Sequence, residues 1–248
     1  MNVFFFVHIP KCGGTTITKL FVDYFGEEYT LYEGQKNYHQ ILKSGDKNIL
    51  KKYKFVSGHF CYGIHNLFEQ KPIYISIVRE PISRVLSAIK FIKSAPEHYL
   101  YPVLKDLSVD SCLKELIRFN ETRLYTHQCV MIAGKHGNFD EVKQIINDNY
   151  FVVAPFDRIN DLITILEVFI FKSPVKRLHL NKSEGEYQFS NESIQLIKEL
   201  CKDDFELYDY VSIKFSNEWD YFLKQLVKSK FKNLSIKRLI KRLFNYTN

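Results

Sequence analysis

The chain has 248 residues, 46% of them hydrophobic, which is room for one sizeable α/β domain or at most two small ones and too apolar for a disordered chain. Its net charge of +7 is unevenly placed: from Lys224 onward there are eight Lys/Arg and no acid, so the rest of the chain carries −1 and lacks the basic surface of a general nucleic-acid binder. The five cysteines are odd in number and form no Cys-x-x-Cys pair, the first strand begins almost at Met1, and no apolar run approaches the roughly 20 residues of a membrane span; a reduced, cytoplasmic protein is the expectation.

Val3–Val7 is a short apolar run of β-formers, the pattern of a strand buried on both faces. Pro10 ends it, Gly13-Gly14 supplies a turn, and Thr15 or Thr16 is placed to cap a helix whose apolar face is Ile17, Leu20, Phe21, Tyr24 and Phe25. Residues 26–52 are polar and read as a connection with short helices, with Tyr38-His39-Gln40 facing a cleft. Lys54–Gly58 and Pro72–Val78 are the second and third predicted strands. Pro81 then opens a helix with an apolar stripe at Ile82, Val85, Leu86, Ile89 and Ile92.

Residues 96–120 read as irregular to helical, and Thr126–Ala133 and Asp140–Asn147 as short helices. Tyr150–Ala154 is the fourth predicted strand, with Asp157 capping the helix after it (Ile159, Leu162, Ile163, Leu166, Phe169, Ile170 inward). Leu178–Leu180 is predicted as a short strand before a polar loop. Ser190 or Asn191 opens a helix to about Cys201, and Phe205–Leu226 is mostly helical. Alternating strands and helices predict a three-layer α/β domain around a mostly parallel sheet, spanning residues 1–229. In such folds ligands sit at the carboxyl ends of the strands, where Lys11, His59 and Arg79 fall. Residues 230–248 form a basic amphipathic tail, suited to an anionic membrane or a polyanion as a peripheral contact.

A strand, a glycine turn and a helix N-terminus together present backbone N–H groups to a phosphate, and Lys11 adds a positive charge. The lysine precedes the glycines, so this is not the usual nucleotide-triphosphate loop. His8-Ile-Pro-Lys-Cys-Gly-Gly-Thr-Thr16 closely resembles the His-Ile-Pro-Lys-Thr-Gly-Gly-Thr signature of carbohydrate sulfotransferases, the group that includes heparan sulfate 2-O-sulfotransferase. That resemblance implies a P-loop-kinase-like sulfotransferase fold and a loop (Lys11, Cys12, Gly13, Gly14, Thr15, Thr16) that holds the 5′-phosphosulfate of 3′-phosphoadenosine 5′-phosphosulfate (PAPS), which leaves as its desulfonated product PAP. Ile77-Val-Arg-Glu-Pro-Ile-Ser-Arg-Val-Leu-Ser87 resembles the family's Arg-Asp-Pro-x-x-Arg-x-x-Ser segment, which makes Arg79 and Ser87 ligands of the 3′-phosphate, with Glu80 in place of the usual aspartate. Leu178-His-Leu-Asn-Lys-Ser183 resembles a family loop that closes over the cofactor, adding Lys182 and Ser183.

Val56-Ser-Gly-His-Phe-Cys-Tyr-Gly63 matches the family's Gly-His pair, which makes His59 the catalytic base and Lys11 the group that stabilises the leaving phosphate oxygen. His59, Cys61 and His65 lack the second ligand pair of a zinc site, and the charge is carried without a metal. Arg123, His127 and Gln128 are candidates for the acceptor side, and Asp203–Tyr210 reads as a packing helix. The expected reaction is transfer of a sulfuryl group from PAPS to a saccharide hydroxyl. A tyrosine or small alcohol as acceptor, and a non-catalytic nucleotide-binding module, are the alternatives.

Overall fold

The computed structural model describes residues 2–121, 127–135, 139–175 and 187–229. Five strands make one sheet: β1 (Asn2–Val7), β2 (Thr30–Tyr32), β3 (Phe55–Gly58), β4 (Lys71–Val78) and β5 (Tyr150–Pro155). Every pairing is parallel and the order is β2-β3-β1-β4-β5, so the first strand of the chain lies at the centre. Val7 pairs with Gly58 on one side and Ser76 on the other. The carboxyl ends of β3, β1 and β4 therefore lie side by side, and the residues just past them are brought together.

Three of the predicted strands match β1, β3 and β4 within a residue, and the fourth matches β5. The strand β2 falls in the stretch read as a polar connection. It is only three residues long and exists by pairing with β3, Thr30 to Phe55 through Tyr32 to Ser57, a contact that local sequence does not announce. The predicted strand Leu178–Leu180 and the basic tail after residue 229 lie outside the described residues.

Helices fill the connections: α1 (Gly14–Phe25), α2 (Tyr38–Ser44), α3 (Lys47–Leu50), α4 (Pro81–Ser94), α5 (Tyr101–Leu104), α6 (Val109–Arg118), α7 (Gln128–Ala133), α8 (Phe139–Asn149), α9 (Ile159–Leu166, with a π-type turn over Glu167–Phe171), α10 (Asn191–Leu200) and α11 (Lys202–Ser229). All six residues of β5 are buried, as expected of a parallel strand covered on both faces. Tyr38, expected at a cleft, is instead packed in the core at the start of α2.

The caps follow local chemistry with two departures. Glu80 accepts from the N–H groups of Ile82 and Ser83 and, with Pro81 in the first turn, starts α4 where the sequence places it. Ser190 caps α10 through Ser193 N–H. The cap of α1, however, is Gly13 in a left-handed conformation and neither Thr15 nor Thr16. Asp157 does not cap α9 either; it accepts from the Tyr208 hydroxyl at 2.8 Å and so ties the start of that helix to α11.

The helical stripes bury the expected residues. In α1, Ile17, Leu20 and Phe21 are inside, and Phe21 stacks on Phe55 of β3 with ring centroids 4.2 Å apart. Phe171 meets the same ring edge-on. A second apolar cluster joins α4, α5, α6 and α10 through Val85, Ile89, Leu104, Leu113 and Ile197. Phe21→Ala should cost about 3–5 kcal/mol in a urea unfolding titration, the usual price of emptying a buried aromatic site. Ile213→Ala, at a position 65% exposed on α11, should stay within about 0.5 kcal/mol of the parent.

Candidate functional site at the carboxyl edge of the sheet

The turn after β1 is built so that only glycine fits at two positions. Gly13 has φ +78°, and a Cβ there would also lie 2.8 Å from the Phe156 ring. A Cβ on Gly14 would lie 1.9 Å from His8 Cδ2. Helix α1 thus begins flush against the end of its own strand. The N–H groups of Gly14 and Thr15 have no acceptor within the helix, and no side chain caps them. They form a donor pair at the positive end of the helix dipole.

Two donors in the same loop are spent internally. The Thr16 N–H reaches the Gly13 carbonyl and the Cys12 N–H reaches the Ile9 carbonyl, both at 3.2 Å. Cys12 is buried, with its thiol directed at Gln128 Oε1 and the Pro10 carbonyl, and burial pushes that thiol up to about 12. The N–H groups of Cys12 and Thr16 thus hold the loop's shape, which leaves those of Gly14 and Thr15 as the donors directed out of it. Lys11 adopts φ +67°, a conformation rare for a side-chain-bearing residue and common at functional sites. Its Nζ lies 4.1 Å from the centre of the Phe91 ring. Burial, and then the nearby Arg79, hold its pKa below the usual lysine range.

Arg79 follows β4 and reaches across the same loop. Its Nη1 donates to the Lys11 carbonyl at 3.0 Å and its guanidinium lies over the Phe156 ring, 4.5 Å from the centre. Its Nε is buried and, among the described residues, has no hydrogen-bond partner. Burial is also what lowers its pKa. Ser87 lies further along α4, half-buried. Lys182, Ser183 and Arg123 lie outside the described residues.

A buried polar network behind the loop was not foreseen. Gln128, fully buried, accepts from the Arg79 N–H and donates to the Arg79 carbonyl, pairing its side-chain amide with that backbone like a rung of a sheet. It is thus an internal clamp and does not face an acceptor. Gln128 is fixed because Asp204 of α11 caps α7, accepting from the N–H groups of His127, Gln128 and Cys129 at 3.0–3.2 Å. Asp204 also lies 3.9 Å from Arg84 Nη1, and Arg84 Nε donates to the Pro10 carbonyl at 3.2 Å. Arg84 and Asp204 are 1% and 3% exposed, so the pair is a true interior ion pair. The signal available in the sequence was a charged residue on an otherwise apolar helix face at Arg84. Its partners are distant in the chain.

His59 leaves β3 on the other side of β1. Its ring lies 4.5 Å from that of His8, and its Nδ1 is 2.5 Å from the His8 carbonyl oxygen. A carbonyl only accepts, so Nδ1 carries the hydrogen and the neutral ring presents its lone pair at Nε2. The His59 N–H donates to Glu33 Oε2 at 2.7 Å. His8 itself is held neutral, its pKa lowered to about 3 by burial first and then by His59 and Lys11. A cleft of about 290 Å³ opens beside His8 between α1 and β2, lined by His8, Thr15, Tyr32, Glu33 and Ser57. His65, by contrast, is bonded through Nδ1 to the Tyr74 hydroxyl at 2.8 Å, apart from this group.

Two outcomes follow from this geometry. Asp204→Ala removes a buried carboxylate beside Arg84 and uncaps α7, and should cost about 3–5 kcal/mol in denaturant unfolding, with Asp204→Asn milder. For His8, the folded pKa of about 3 lies below the ordinary histidine value of 6.5. The unfolded chain binds the proton more readily, so this stabilisation is complete above pH 6.5 and is lost as pH falls toward 3. Removing the titrating group in His8→Gln should flatten the loss of unfolding midpoint between about pH 6 and pH 4, relative to the parent.

Comparison with known proteins places the chain in a family. Heparan sulfate 2-O-sulfotransferase hst-2 of Caenorhabditis elegans is 24% identical over 252 residues, covering 84% of this chain and 76% of that protein. Uronyl 2-sulfotransferase of Mus musculus is 21% identical over 248 residues, covering 84% of this chain and 60% of that protein. The model of the Sulfotransferase family matches residues 1–211, from the first strand to well within α11; the chain belongs to the Sulfotransferase family.

Proposed function

We propose that this protein transfers a sulfuryl group from PAPS to a hydroxyl of a saccharide. The observation that carries the reading is the pairing, across the end of β1, of an anion-binding turn with a histidine whose Nε2 is free to take a proton. The saccharide class rests on the two relatives, whose names assign them heparan sulfate and uronyl acceptors.

The chain's own groups suit that donor. The Gly14 and Thr15 N–H groups, at the start of α1, are aimed to hold the sulfated 5′-phosphate. Arg79 keeps a buried, unpartnered Nε, a donor suited to a further phosphate, and with Ser87 is assigned the 3′-phosphate. Lys182 and Ser183 are assigned to the same donor from the sequence alone. When bound, PAPS supplies the sulfuryl group, and its phosphate oxygen keeps the electron pair of the broken S–O bond. Lys11 stabilises the charge that grows on that oxygen. His59 Nε2 accepts the proton of the attacking hydroxyl, while Nδ1–H stays anchored on the His8 carbonyl. The cleft beside Glu33 gives the saccharide its approach to His59.

The direct test is to incubate the protein with PAPS carrying a labelled sulfate and a panel of glycans. Label in a saccharide product is the expected result, and transfer only to tyrosine or simple alcohols would overturn the acceptor class. Within that assay His59→Ala should lower the rate about 10²–10⁴-fold with little change in calorimetric affinity for PAP. Arg79→Ala should weaken PAPS binding by about 1.5–3 kcal/mol and leave adenosine 5′-phosphosulfate, which lacks the 3′-phosphate, nearly unaffected. Equal weakening of both ligands would remove Arg79 from the 3′-phosphate. Lys11→Ala should damage affinity and rate together.

A further inference from the structure

We infer that Glu33 is the positioning residue of His59, holding the histidine so that Nε2 faces the acceptor; its catalytic consequence rests on the sulfuryl-transfer reading above. The His59 side chain is 40% exposed, so packing alone does not fix it. An exposed ring of this kind samples several rotamers unless polar contacts select one. Two contacts do so here. The His8 carbonyl holds Nδ1, and the Glu33 carboxylate holds the backbone N–H at 2.7 Å. One anchors the ring and the other anchors the main chain that carries it.

Glu33 is itself well placed to be an anchor. It is the residue after β2, and its own N–H bonds to the Ser57 carbonyl at 3.0 Å, extending the β2–β3 pairing by one step. The sheet thus sets the carboxylate beside the first residue past β3. The same Oε2 lies 3.9 Å from His59 Nε2. Once Nε2 has taken a proton, the imidazolium has an opposite charge beside it. Among the described residues Glu33 makes no ion pair with lysine or arginine, so its carboxylate is not drawn away from the His59 N–H. The three-residue edge strand gains a purpose in this light, because it delivers this one side chain.

The test compares Glu33→Ala, which removes the anchor, with Glu33→Gln, which keeps an acceptor oxygen for the His59 N–H. Two measurements are made on each full-length variant. The first is steady-state transfer. Glu33→Ala should lower kcat about 10- to 100-fold with KM for PAPS near the parent value, and Glu33→Gln should recover most of it. The second needs no turnover: ¹⁵N-resolved NMR of the imidazoles in alkaline buffer. The parent and Glu33→Gln should show His59 with its hydrogen on Nδ1, and Glu33→Ala should show exchange between both ring nitrogens. If Glu33→Ala keeps both the parent kcat and the parent tautomer, the inference is wrong. A Glu33→Gln variant as impaired as Glu33→Ala, with the same loss of thermal stability, would reduce Glu33 to a structural role and also overturn it. If the parent transfers no sulfate yet the tautomer depends on Glu33, the positioning stands and the sulfuryl-transfer reading fails.

Discussion

The structure turns on a single interior ion pair. Arg84 and Asp204 are far apart in the chain, one on α4 and the other on α11, and both are nearly inaccessible to water. A buried charge without a partner is so costly that each demands the other. Everything near the site is set by what the two groups do with their remaining hydrogen-bonding capacity. Arg84 reaches the Pro10 carbonyl at the start of the glycine turn, and Asp204 organises the first turn of α7. That turn in turn presents Gln128 to both backbone groups of Arg79. The loop, the arginine and two helices are therefore fixed relative to one another by hydrogen bonds that leave little slack.

Electrostatically the two sides of β1 are unlike. On the β4 side, burial and then the nearby Arg79 guanidinium lower the affinity of Lys11 for its proton, with aromatic faces of Phe91 and Phe156 beneath the cations. Two positive groups kept together at that expense make sense where an anion with several charges is to be bound. On the β3 side the groups are two imidazoles and a carboxylate, of which His8 is kept neutral by burial. Under the proposed reaction, cations on one flank and imidazoles on the other divide the work of holding a donor from that of activating an acceptor.

Much of this was legible in the sequence because it is local. Short apolar runs, the Gly13-Gly14 pair and Pro81 each impose their structure within a few residues. The residues at three strand ends were identifiable for the same reason. What escaped were features defined by partners. The strand β2 has three residues and no pattern of its own. Gln128 looked like a polar residue on an open helix face, and its burial depends on Arg79, which is 49 positions away. Asp204 looked like ordinary helix charge and proved to be a cap for another helix. The threonines after the glycines looked like caps, but the positive φ of Gly13 and the close approach of Phe156 make glycine the residue that the cap position admits.

The link between the start of the chain and α11 has a bearing on how the molecule is made. The turn at Pro10–Gly14 leaves the ribosome about 190 residues before its clamp at Asp204, which at roughly 5–20 residues per second is a wait of about 10–40 s. Through that interval the central strand can pair with β3 and β4, yet the loop beside it lacks the group that neutralises Arg84. The glycine turn is thus made well before the residue that locks it, so a nascent chain completes this part of the fold only once α11 has emerged.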